Sequence, residues 1–376
     1  MAAPHWQGRG TALWRAGVAL SAGLAALNLL AGASGGLARL GLAVPSAAIG
    51  VHGAVLACGF FGTLIALERA VALHRLAGLI APLAAGLAGP LAWALHQEAA
   101  AQVAWAVAGA ALAGLYLWAG VTRAWSLPLI VELCGALCWV AGTAAWARGS
   151  LAAGVTGWVA FLVLTIAAER RELTQMFRLP AVAHRSFVVL VALLLLAVLA
   201  ATAGAFGAGT RALAAAPLWA GCSLLALWLL RWDVAPRKWR SPGWPGHTAH
   251  CLSAGYAWLL IGALLGLAGL WWPAGIAALA LHAVLLGFVF AMVFGHAPII
   301  LPALSGLRPV YSAWARVPVW ILSASLVLRG VALATGSARV MATAGVAHAG
   351  AIALFAGIML NAVWRSRRAD PHGRKP

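Results

Sequence analysis

The stretch Leu281–Pro302, LHAVLLGFVFAMVFGHAPIILP, is apolar enough to cross a membrane, yet it carries two histidines, His282 and His296. As a helix, the fourteen-residue step from one to the other makes nearly four turns and rises ~21 Å. Both imidazoles then fall on roughly one face, at different depths of the bilayer. A polar side chain in hydrocarbon is costly and faces a bundle interior, a cavity or a partner. Neutral imidazole is also the commonest metal ligand. Di-haem membrane cytochromes use such a spacing to hold one haem near each side of the membrane. The alternative is that both residues are hydrogen bonders between helices.

The elements that must position these residues are membrane helices. Of 376 residues, 64% are hydrophobic and 9% charged, which excludes a soluble domain. The expected fold is all-α: a polytopic membrane protein whose helices satisfy their own backbone groups within lipid. Length and hydropathy predict about twelve transmembrane helices, at 17–34, 46–68, 78–95, 101–121, 127–146, 151–168, 187–205, 212–230, 251–270, 273–295, 317–334 and 340–364. No connection is long enough to fold alone, so residues 1–376 read as a single transmembrane helical domain. The first apolar run is long enough to span and reads as a retained helix.

The formal charge of +18 is no nucleic-acid signal, because nearly all the arginines sit in short loops. They alternate from side to side. Arg69, Arg75, Arg123, Arg170, Arg171, Arg237, Lys238, Arg240, Arg308 and Arg316 fall on one side. Arg39, Arg148, Arg211, Arg329 and Arg339 fall on the other. The positive-inside rule then puts both termini in the cytoplasm. Five scattered cysteines imply no disulfide framework.

This topology assigns depths. His52, His282 and His348 fall in the outer half, on the second, tenth and twelfth spans, and could converge on a haem iron or a copper ion. His296, His247 and His250 form an inner group. Each has a bland reading as a packing hydrogen bonder. Glu68 and Glu169 are each followed by arginine, and Glu132 lies inside the fifth span. They read as interfacial ion pairs or as a proton path. Ala167–Pro180, AAERRELTQMFRLP, is expected to lie along the cytoplasmic interface.

Three motifs carry a family resemblance: His52–Phe60 (HGAVLACGF), Leu252–Trp258 (LSAGYAW), and His282–Gly287 (HAVLLG) with Gly295-His296. There the chain resembles the NnrS family of twelve-span bacterial inner-membrane proteins, which bind haem and copper and are linked to nitric oxide metabolism and nitrosative stress. The resemblance matches His52 to the first histidine of the second-helix motif, His282 to the opening histidine of the tenth-helix motif, and Gly295-His296 to its close. The chain departs from the family at Ala54, Val55 and Ser253, with His250 standing near the last.

The expected function is a haem- or metal-binding protein of the inner (cytoplasmic) membrane, with no reaction assigned. His52, His282, His348 and His296 are the candidate haem ligands. His52, His282, His348 and His250 are the candidate metal (copper) ligands. The expected partners are the lipid bilayer and the haem or metal ion, with no nucleic acid. The rival readings are a twelve-span secondary transporter and a haem-handling or assembly factor.

Overall fold

The computed structural model describes residues 9–174, 179–204, 215–272, 274–305 and 308–369. These residues are helices joined by short connections, so the chain is an all-α polytopic membrane protein. Eleven described helices are long and apolar enough to cross a membrane, and a twelfth apolar helix has 17 residues. In chain order they are α1 (Arg9–Ala38), α2 (His52–Leu73), α3 (Leu76–Trp93), α4 (Glu98–Thr122), α5 (Leu127–Ala147) and α6 (Leu151–Leu173). There follow α7 (Ala181–Gly204), the shorter α8 (Ala216–Trp232), α9 (Gly243–Ala268), α10 (Gly275–Pro302), α11 (Ala313–Thr335) and α12 (Ala338–Ala369). Residues 212–214, expected to open the eighth span, lie outside the described residues.

The helices form two compact units. One comprises Met1–Arg39 and Ala43–Leu162, the other Leu40–Leu42 and Val163–Pro376. The boundary falls inside α6.

In the first unit, a proline sets up the core polar contact. Pro90 lies inside α3, and proline has no N–H for the carbonyl four residues back. That carbonyl belongs to Gly86. The Asn28 side chain of α1 fills the gap, its Nδ2 donating to Gly86 O at 2.9 Å and to Gly59 O at 3.3 Å. Asn28 fits because Gly89 has no side chain: a Cβ there would stand 1.7 Å from Asn28 Oδ1. Gly59 belongs to a π-helical stretch of α2, Val55–Phe61, and its carbonyl also accepts from Thr63 Oγ1 at 2.5 Å. Trp139 stacks on Phe161 at 4.8 Å, and a Cβ on Gly62 would collide with the Trp139 ring.

The second unit uses the same device. Pro298 lies inside α10 and leaves the Phe294 carbonyl without its helical donor. His247 of α9 supplies one, Nε2 to Phe294 O at 2.9 Å, and Thr248 Oγ1 donates to Gly295 O at 2.8 Å. The two helices approach closely because Gly255 and Gly262 of α9 face Phe288, Ala291 and Met292, and Ala280, Ala283 and Val284, of α10. Small residues at such a seam are how membrane helices gain dispersion contact in lipid. A second π-helical stretch, Ala283–Phe290, begins directly after His282.

Three expectations change. Residues 46–51 are not helical: Pro45 and Gly50 favour a turn, closed by Val51 N to Ala48 O at 3.1 Å, and α2 starts at His52 itself. His52 therefore stands at a helix N-terminus, not inside a span that opens at residue 46. Ala167–Leu173 continues α6 instead of lying along an interface, with Arg170 turned inward, while residues 175–178 lie outside the described residues. Arg329 lies within α11 and is half-buried, not in a loop.

Candidate functional site

The polar groups of the second unit gather in two places. The first is built on α10, α11 and α12. His348 is 6% exposed on α12, with Ser325 of α11 beside it. Ser325 Oγ lies 2.8 Å from Leu322 O and 2.5 Å from His348 Nδ1; with the serine proton on the Leu322 carbonyl, the imidazole N–H donates to the hydroxyl. Neutral His348 therefore carries its lone pair on Nε2. That atom is buried and has no hydrogen-bond partner among the described residues.

His282 comes close enough to His348 for their charges to interact, and so does Arg329. The His282 Nδ1 lies 2.7 Å from Ala278 O, four residues earlier on the same helix. A carbonyl only accepts, so Nδ1 is the protonated nitrogen and the basic atom of the neutral ring is again Nε2. Of the three histidines expected to converge, His282 and His348 belong to this unit, and His52 belongs to the first.

The second gathering joins α6, α9, α10 and the end of α8. Arg170 and Asp233 are both buried and form a two-pronged pair, Nε to Oδ2 at 2.8 Å and Nη2 to Oδ1 at 3.1 Å. Asp233 Oδ1 also accepts from Ala235 N at 2.6 Å, fixing the turn after α8. The fully buried Tyr256 hydroxyl faces this pair. His296 lies within electrostatic reach of Glu169, Arg170 and Asp233, its Nδ1 held by Met292 O at 2.8 Å. His247 lies apart as the donor to Phe294, sandwiched edge-on to Trp244 and parallel to Phe355. His250 binds Trp239 O through Nδ1 at 3.2 Å, on the face of α9 toward α11.

In the first unit, His52 packs against α1 where Gly35 and Gly36 leave room, its Cβ 3.1 Å from the position of a Gly35 Cβ. Glu132 is buried and ion-paired with Arg69, whose guanidinium also lies 5.8 Å over the Tyr116 ring. Sequence reading reached Glu132 but not its partner, and it missed Ser325, Asp233 and Tyr256 as site residues. The signal for Ser325 was a serine one turn before Arg329 in a span whose other polar side chains are Ser323 and the terminal Thr335.

An imidazole with an anchored Nδ1 and an open, buried Nε2 has the chemistry to hold a haem iron. The nearby Arg329 suits a haem carboxylate. The same residues fit a multi-donor copper site less well. Among the described residues no group of three His, Cys, Asp or Glu stands where it could hold a metal ion.

Residues 16–364 match the family described as Domain of unknown function (DUF8744), and the chain belongs to it. No curated protein matches the chain.

Proposed function

We propose that this multi-pass membrane protein binds haem in the second unit, where His348 would hold the group, with His282 as its neighbour. The observation that carries the reading is the buried, open Nε2 of His348, whose tautomer Ser325 fixes. The NnrS-like motifs around His52 and His282 support it. Bound haem would supply redox or small-ligand chemistry of its own. The chain's part is to hold the ring nitrogen, exclude water and meet a carboxylate with Arg329. His296, on α10 of the same unit, is a further candidate ligand. The test is a haem titration of the purified protein in detergent. The reading expects a saturable Soret band at a fixed ratio of haem to protein, and the lack of any such band overturns it. Haem that binds but exchanges within minutes would instead favour a handling factor.

The membrane is proposed to be the inner membrane, with both termini cytoplasmic, on the arginine alternation. A reporter active only in the cytoplasm, fused after α12, should be active; silence would reverse the orientation.

A second reading, a secondary transporter, draws on the ion pairs Arg69–Glu132 and Arg170–Asp233 set within or at the ends of membrane helices. Intramembrane charges commonly mark ion pathways. Substrate or proton flux in haem-free proteoliposomes would favour it over haem binding.

A further inference from the structure

A groove of about 480 Å³ runs along α9, walled by Trp239, His250, Ala254, Trp258, Ile261 and Trp320. We propose that it is a binding site for an anionic phospholipid. The acyl chain would lie along α9, and the phosphate would be held at the basic turn before that helix. The site is independent of the haem reading.

Its length fits one chain of one leaflet. From His250 to Ile261 the helix rises ~16 Å, against a hydrocarbon half-thickness of ~15 Å. Its floor is low because Ala254 and Ala257 are small, and Ala257 is exposed. One wall is rigid, since Trp258 Nε1 donates to Ser323 Oγ at 3.0 Å and ties α9 to α11. Past His250 the lining is apolar apart from the Trp258–Ser323 bond and Ser253, whose hydroxyl is taken up by Ala249 O at 2.7 Å.

The two ends differ in charge. At the His250 end, Trp239 and Trp320 are exposed, the position of aromatic residues at a membrane interface. Lys238 and Arg240 are exposed beside Trp239, with the Arg240 guanidinium 5.0 Å over its ring. Arg316, one turn before Trp320, reaches Ser241 O at 3.4 Å, and its buried Nε has no hydrogen-bond partner among the described residues. Asp233 is the sole carboxylate of the sequence between Glu172 and Asp370, and Arg170 occupies it. Among residues 173–369 no second acid is available to these cations. A headgroup with net negative charge therefore matches this end better than a zwitterionic one does.

The test is native mass spectrometry of the delipidated full chain titrated with phosphatidylglycerol or phosphatidylcholine of matched chains. The proposal expects one phosphatidylglycerol bound at least about ten-fold more tightly than phosphatidylcholine. That preference should shrink in the variant Lys238→Gln/Arg240→Gln, which changes two exposed side chains and keeps Arg316. Ala257→Trp, which fills the floor, should weaken both lipids. Equal binding of the two lipids by the wild type overturns the proposal, and so does unchanged phosphatidylglycerol binding in the charge variant. Because the charge variant alters only exposed side chains, it decides the matter even if Ala257→Trp does not fold.

Discussion

The Ser325 hydroxyl accepts the Nδ1 proton of His348 at 2.5 Å, with Leu322 taking the serine's own proton. This chain of two bonds makes Nε2 the basic atom of a neutral, buried ring. Outer-shell partners of this kind typically change ligand affinity by ~10–100-fold. Ser325→Ala should therefore weaken haem binding by about that factor without abolishing it, and Ser325→Thr should restore it. Titration by absorbance checks this. Unchanged affinity in Ser325→Ala would mean the bond serves packing alone.

Arg170 and Asp233 are a buried pair whose partners come from α6 and the end of α8. Removing one charge strands the other in a poorly solvated place, at a cost of about 3–5 kcal/mol. Asp233→Asn should thus lower the thermal midpoint of the detergent-solubilised protein sharply. Replacing both residues by apolar ones of similar volume should cost much less. Equal losses in the single and double variants would contradict this account of the pair.

His247 serves the Phe294 carbonyl that Pro298 leaves bare. An unsatisfied buried carbonyl costs about 1–3 kcal/mol, so His247→Phe should destabilise by that order. In a Pro298→Ala background the helix regains its own N–H donor, and the same change should cost clearly less. A double-mutant cycle with no coupling between the two positions would remove this role for His247. Asn28 and Pro90 form the corresponding pair in the first unit.

These contacts mark where sequence reading succeeds and where it stops. Span length and hydropathy are local properties, so the apolar helices were legible, including the short α8. That His282 and His348 lie within apolar helices was legible too, because both fall inside long apolar runs. The start of α2 was misread, since hydropathy runs on through Pro45–Gly50 while the backbone turns. Arg170 was read as a loop charge because an arginine at a span end looks the same whether it faces water or Asp233. The rescue of Gly86 and Phe294 could not be read, as the proline is visible in sequence but its donor sits on another helix. The π-helical stretches after His52 and His282 left no compositional mark.

The central claim is that His348 Nε2 holds haem. Its most direct measurement is the optical spectrum of haem-supplied wild-type protein beside His348→Ala, both purified in detergent and matched for folding by circular dichroism. The account predicts a Soret band in the wild type that is lost or strongly shifted in the variant. A superimposable pair of spectra, or no band in the wild type, would contradict it.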